Sequence, residues 1–331
     1  MGKSLLKVRN LQTVFRTIEG EAVAVDGVNF DIDQGETLGL VGESGCGKSV
    51  TALSIMRLVR NPPGRITSGT VEFEGRDLLK IPEKKIRKIR GNDISIVFQE
   101  PLSSLNPVFT CGEQIREVIA VHRKVGRKRS KERAIEMLRM VHIPDPGKSY
   151  GKYPHQMSGG MRQRVMIAMA LCCEPQLLIA DEPSTALDVS VQAQIIVLLE
   201  ELRRRLGMSV LLISHDLSVI AQMADRVMVM YAGRIVERAP AERLYSDPSH
   251  PYTQGLLRSM PGYAPPGEKF SVIEGTVPDP LKLPPGCKFS DRCGESTERC
   301  LAEEPPFFRL DERHYCRCWL RGGEPVEDID G

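Results

Sequence analysis

The sequence predicts an α/β protein: a mainly parallel sheet covered by helices, with an inserted helical region and a small, irregular C-terminal extension. Three observations carry this expectation. Strand-like and helix-like segments alternate along most of the chain, a glycine-rich loop joins an early strand to a helix, and the texture turns proline-rich from about Pro240. At 331 residues the chain has room for one large domain and a smaller appendage, taking roughly 150 residues per domain.

Strand-like alternation near Leu6–Asn10, Val28–Ile32 and Thr37–Val41 leads into the glycine-rich turn, and an apolar-periodic stretch from Lys48 to Val59 follows it. After the breaker Asn61-Pro62-Pro63-Gly64 the pattern predicts a strand at Thr70–Glu74, a basic helix at Glu83–Arg90 and a strand at Ile94–Phe98. The region from about Pro101 to Gln156 reads as mostly helical and polar, with an amphipathic segment at Lys131–Val141. It is expected to form an inserted helical subdomain over about residues 101–165. Alternation resumes with a helix at Met161–Cys172, strand Gln176–Ala180, helix Val191–Arg205, strand Ser209–Ile213, helix Leu217–Met223 and strand Arg226–Tyr231. Beyond residue 250, Pro261, Pro265, Pro266, Pro278, Pro280, Pro284 and Pro285 crowd together and apolar periodicity fades. The expected division is therefore 1–250 and 251–331.

Lys and Arg number 45 against 43 Asp and Glu, a formal charge of +2, so no whole-chain field points to nucleic acid or an anionic surface. The basic run Arg123, Lys124, Arg127, Lys128, Arg129, Lys131 and Arg133 lacks interleaved aromatics and reads as a solvated helix and loop. Apolar runs such as Val210–Ile213 and Val227–Met230 fall far short of the roughly 20 residues a spanning helix needs. The start MGKSLLKVRN shows no apolar leader core or small-residue cleavage site, so action in the cytosol is expected.

The segment Gly42-Glu43-Ser44-Gly45-Cys46-Gly47-Lys48-Ser49, continued by Val50, matches GxxxxGK[ST] between a strand and a helix. Glycines let backbone N–H groups turn inward around phosphate oxygens, and the helix N-terminus adds partial positive charge. Lys48 is expected on the β- and γ-phosphates and Ser49 on Mg²⁺. Lys48 and the helix start also favour the thiolate of Cys46. An apolar strand runs into Asp181-Glu182 at the sheet edge where ligands bind; Asp181 suits the Mg²⁺ shell, and Glu182 suits a general base polarising water.

Ser158-Gly159-Gly160-Met161-Arg162-Gln163 opens a helix about 20 residues before Asp181 and resembles the LSGGQ signature of ATP-binding-cassette proteins. Further matches follow in family order. Gln99 resembles the Q-loop, a further ligand for Mg²⁺ and a catalytic contact. Ser184-Thr185-Ala186-Leu187-Asp188 resembles the D-loop, and His215 the switch histidine. The resemblance implies a RecA-like P-loop NTPase core with an antiparallel β subdomain. It further implies that Ser158, Gly159, Gly160 and Asp188 serve ATP bound to an opposite subunit, and that an aromatic upstream of the loop, here Phe15, stacks on adenine. Met157 and Met161 stand where the signature usually has Leu and Gln, so one polar contact of the signature is missing. The wording MSGGMRQRVMIAMAL is similar to D-type ATPases of oligopeptide, dipeptide and nickel importers.

Of nine cysteines, Cys287, Cys293, Cys300, Cys316 and Cys318 cluster near the C-terminus. Their spacing lacks the paired CxxC of a zinc ribbon, and the segment resembles the importers' C-terminal motif, which in that family holds a [4Fe–4S] cluster. The resemblance then implies Cys287, Cys293, Cys300 and Cys318 as iron ligands, with zinc or reduced thiols as alternatives. His250-Pro251-Tyr252-Thr253 resembles the opening of that extension, which the family associates with pairing and docking rather than hydrolysis. The implied partners are an F-type ATPase subunit, two transmembrane permease subunits and, indirectly, an extracytoplasmic substrate-binding protein. The implied location is peripheral, on the cytoplasmic face of the inner membrane. Peptide is the implied solute, with nickel or another solute as an alternative, or a soluble cassette ATPase of another kind.

Overall fold

The computed structural model describes residues 3–100, 104–184, 187–260 and 273–326. Pro261, Pro265 and Pro266 of the proline-rich stretch lie outside them, as do Thr185 and Ala186 of the D-loop segment. The chain divides into two compact units, which do not follow the sequence boundary at residue 250: the first holds residues 1–33, 37–80 and 213–331, the second residues 34–36 and 81–212.

In the first unit two long strands, β1 (Ser4–Arg16) and β2 (Glu21–Asp33), form an antiparallel pair that β4 (Gly64–Phe73) and β5 (Arg76–Asp77) extend in the order β2-β1-β4-β5. Both strands run well past the stretches of strict alternation. Their outer halves mix apolar residues such as Val14 and Val25 with polar ones, and the ladder satisfies their backbone groups down to Arg16 opposite Glu21. β3 (Thr37–Val41) is buried at every position and pairs in parallel with β9 (Arg226–Tyr231). β10 (Arg234–Pro240) returns antiparallel along β9. Helix α1 (Lys48–Ile55) stops earlier than its apolar periodicity implies, because the backbone turns left-handed at Arg57, φ 50°.

The C-terminal residues build structure of their own. Helices α9 (Ala241–Ser246) and α10 (Pro251–Arg258) follow β10, and β12 (His314–Cys316) pairs antiparallel with β10, with β11 (Phe307–Asp311) on its other side and β13 (Glu324–Val326) beyond β11. Fully buried Glu237 on β10 ties these pieces together. Its carboxylate accepts the N–H groups of Ser249 (2.7 Å) and His250 (2.9 Å) and lies 2.8 Å from Nε2 of His314. On the same unit buried Asp31 accepts from both Arg226 (3.2 Å) and Arg238 (2.9 Å).

In the second unit α2 (Glu83–Ile89) precedes β6 (Ile94–Val97), which lies parallel to β7 (Leu177–Asp181), and β7 neighbours β8 (Ser209–Ser214). The expected helical insertion is present as α3 (Cys111–Arg123) and α4 (Arg127–Met140), followed by α6 (Gly159–Leu171) after the short α5 (Pro146–Ser149). Helix α7 (Val189–Leu206) buries Ile195, Ile196, Leu198, Leu199 and Leu202, a stripe at helical spacing. Among the described residues no helix is long and apolar enough to cross a membrane.

Burial opposes charge on Glu237, but the His314 ring and the backbone donors outweigh it and hold the carboxyl below its ordinary 4.5. A carboxyl held low contributes stability above its unfolded pKa and loses it as pH falls through the folded value. Glu237→Gln is expected to cost about 2 to 3 kcal/mol at pH 7. The deficit relative to wild type should shrink below pH 4.5, as calorimetry across that range can read.

Candidate functional site

β3 delivers the chain to Gly42, and the loop turns back into α1. Gly47 caps α1 in left-handed conformation, φ 108°, and a Cβ there would lie 2.3 Å from the carbonyl oxygen of Ala24. A Cβ on Gly42 would lie 2.2 Å from the carbonyl oxygen of Met230. Only glycine allows backbone this close to backbone. A glycine cap offers no side chain to the first N–H groups of α1, which leaves them to an anion favoured by the helix dipole.

Lys48 is buried, and its ammonium donates to the carbonyl oxygens of Gly42 (2.8 Å) and Glu43 (2.9 Å). Ser44, Gly45 and Ser49 are exposed, and Val50 is half-buried. Cys46 departs from expectation. Its Sγ is 3.9 Å from the Lys48 ammonium, but it is buried, and the loss of solvent pushes its thiol up more than Lys48 draws it down. Phe15, half-buried on β1, sits between Ala22 and Gly64 in register, and its ring approaches Gly64 so closely that a Cβ there would be 2.7 Å from it. His215 is exposed just before helix α8 (Leu217–Met223), which Asp216 caps through the N–H of Ser218 (2.8 Å).

In the second unit the parallel register Val97 to Ala180 brings Gln99 and Glu182, each two residues further on, side by side. The Gln99 amide donates to Glu182 Oε2 at 3.0 Å. Asp181 ends β7, buried, and Glu182 follows with φ 48°, a left-handed conformation rarely taken by a non-glycine residue. Ser158 caps α6 by accepting the Met161 N–H (3.3 Å), as expected of a signature serine. Gly159 approaches Leu187, and Gly160 packs on the start of α7, where a Cβ would be 2.8 Å from a Val191 methyl. Asp188 caps that helix, and the Ser190 hydroxyl and Val191 N–H lower its carboxyl.

Three residues went unassigned in the sequence. Buried Gln163, inside the signature helix, donates to the Pro183 carbonyl (2.5 Å) directly after Glu182. Tyr252 and Arg292, from the C-terminal region, both contact Glu43 of the phosphate loop. A polar residue on an apolar helix face was a readable sign for Gln163, Tyr252 was marked only as part of the segment His250–Thr253, and nothing local marks Arg292.

The iron–sulfur expectation is corrected. Among the described residues no group of three or more His, Cys, Asp or Glu side chains converges to hold a metal, and all nine cysteines are free. Burial pushes the thiols of Cys287 (to about 11), Cys293 and Cys318 up and Cys316 well up, so that without a metal they are neutral. Cys300 is buried beside Thr297. The segment gets its order instead from hydrogen bonds such as Cys287 N–H to the Cys300 carbonyl at 2.8 Å.

A parallel sheet edged by a glycine-rich loop and a buried lysine defines the P-loop nucleoside-triphosphatase class. Comparison narrows it. Residues 25–185 match the family model described as "ABC transporter", and residues 236–300 match "Oligopeptide/dipeptide transporter, C-terminal region". The chain is 48% identical over 324 residues to the oligopeptide transport ATP-binding protein AppD of Bacillus subtilis, covering 98% of this chain and 99% of that one. It is 47% identical to the dipeptide transport ATP-binding protein DppD of the same organism, covering 96% and 95% respectively. Among solved structures, the ATP-binding cassette MJ0796 as a post-hydrolysis dimer bound to ADP and Pi superposes with TM-score 0.64 at 28% identity, over 71% of this chain and 98% of that one. The chain belongs to the ABC transporter family of ATPases, in the branch with the oligopeptide/dipeptide transporter C-terminal region.

Gly47→Ala is expected to abolish MgATP binding and to lower stability by about 1 to 3 kcal/mol, since the new methyl meets Ala24 and the backbone is strained. Equilibrium binding of a fluorescent ATP analogue, with a melting curve on the same sample, checks both parts.

Proposed function

We propose that the chain is the ATP-hydrolysing subunit of an importer of di- or oligopeptides. The observation that carries this reading is the near-full-length match to proteins named for peptide transport, in a chain whose phosphate loop is intact around buried Lys48. Lys48 and the α1 N-terminus bind the β- and γ-phosphates, helped by the N–H groups of residues 42–50, and the half-exposed ring of Phe15 stacks on adenine. The Ser49 hydroxyl, Gln99 amide oxygen and Asp181 carboxylate are hard oxygen donors of the kind Mg²⁺ takes, and the ion supplies charge neutralisation to the phosphates. Glu182, oriented by Gln99, accepts a proton from the attacking water, and His215 assists at the γ-phosphate.

Ser158, Gly159, Gly160 and Asp188 serve ATP on a second, F-type ATPase subunit, whose own signature completes the present site. Two membrane permease subunits, contacted through Gln99 and the helical subdomain of residues 101–165, and an extracytoplasmic binding protein complete the transporter. The chain works peripherally at the cytoplasmic face of the inner membrane. In this reading residues 1–250 are the nucleotide-binding domain and 251–331 the importer-specific extension.

Glu182→Gln keeps the shape of the site and removes the base, so turnover in the assembled transporter should fall about 10² to 10⁴-fold with ATP still bound. Phosphate release and nucleotide retention read the two effects, and wild-type turnover would remove Glu182 from the role. Uptake of labelled peptides into vesicles carrying the reconstituted transporter tests the solute. ATP hydrolysis without peptide accumulation would refute peptide import.

A further inference from the structure

Glu43, the second residue of the phosphate loop, is held at three points. Its N–H donates to the phenol oxygen of Tyr252 at 2.9 Å, and its carbonyl accepts from the Lys48 ammonium at 2.9 Å. Its carboxylate takes both arms of the Arg292 guanidinium, at 2.9 and 3.1 Å. Arg292 is not a solvated surface arginine. Its side chain is 6% exposed, and its remaining donors go to the Tyr231 phenol (3.2 Å) and the carbonyls of Ile273 (3.3 Å) and Glu274 (2.8 Å). That accounts for all five N–H groups of a guanidinium. Tyr252 is fully buried against Tyr231 and Phe289, with ring centroids 4.7 and 5.3 Å away.

Two consequences follow from electrostatics and geometry. A carboxylate at the head of a phosphate loop repels a polyanion, and a bidentate guanidinium cancels most of that repulsion at short range. The Glu43 carbonyl also fixes one of the three ammonium protons of Lys48, so what anchors Glu43 anchors the lysine.

We propose that Arg292 and Tyr252, both within the C-terminal region, are positioning residues for ATP binding: they neutralise and fix Glu43 so that the loop accepts a triphosphate. The inference rests on the phosphate-loop reading above and gives the extension a part in nucleotide binding besides any docking role.

The test is a set of binding isotherms on the full-length chain with MgATP, MgADP and adenosine. Arg292→Gln is expected to raise the Kd for MgATP about tenfold and for MgADP about threefold, leaving adenosine unchanged, because an uncovered carboxylate penalises each added phosphate charge. In a Glu43→Gln background the same substitution should change MgATP affinity less than twofold. Arg292→Lys keeps the charge without the fork and should fall between wild type and Arg292→Gln, and Tyr252→Phe should weaken MgATP about threefold. The latter two variants carry the test if Arg292→Gln does not fold, with nucleotide-free melting curves as the check.

A uniform loss for all three ligands, an unchanged MgATP Kd, or an undiminished effect in the Glu43→Gln background overturns the inference. Failure of the wild-type chain to bind MgATP overturns the phosphate-loop reading itself, and the inference with it.

Discussion

The phosphate loop rests directly on main chain, with Gly47 against the Ala24 carbonyl on β2 and Gly42 against the Met230 carbonyl on β9. Contacts of this kind tolerate no side chain, so two strands far apart in sequence must both be in register before the loop can take its shape. The Cys46 carbonyl then accepts the Gly233 N–H at 2.9 Å, and Gly233 in turn accepts from Asp26, which closes a backbone circuit from loop to β9 turn to β2. Lys48 reads this circuit as a fixed pair of carbonyls. The rigidity of the first unit is therefore a condition on where one ammonium group stands.

Buried charge is used in that unit to join strands rather than to add bulk stability. Asp31 on β2 is buried, which works against its charge, yet the guanidiniums of Arg238 and Arg226 hold its carboxyl below the usual range. Glu237 does the same for the chain after β10. Replacing one member of either group would strand its partners without solvent, whereas apolar replacement of the whole group would lose the register they specify.

Much of the fold was legible in the sequence because parallel strands buried on both faces read as unbroken apolar runs. Leu177–Ala180 and Val227–Tyr231 are of this kind. The phosphate loop and signature were legible because glycine and cap residues there meet strict backbone demands. The C-terminal strands were not. β12 has three residues and β11 five, too short for a period of two to stand out among cysteines and charges. The cysteines invited a metal, but among the described residues no side-chain group is placed to hold one, and the segment is held by packing and backbone hydrogen bonds. Arg292 was invisible for another reason: its meaning comes from Glu43, 249 positions away. The pull of Lys48 on Cys46 was read correctly in sign, and burial outweighed it.

The left-handed backbone at Glu182 has an evolutionary consequence. A non-glycine residue in that conformation costs about 1 to 2 kcal/mol relative to ordinary backbone. Glycine would remove that strain, and asparagine would reduce it. Selection for stability alone would therefore drift this position toward a residue with no carboxylate. With Glu182 as the base proposed above, a homologous chain that no longer hydrolyses nucleotide would be free to shed that strain, so the residue at this position would track whether a lineage has kept its chemistry.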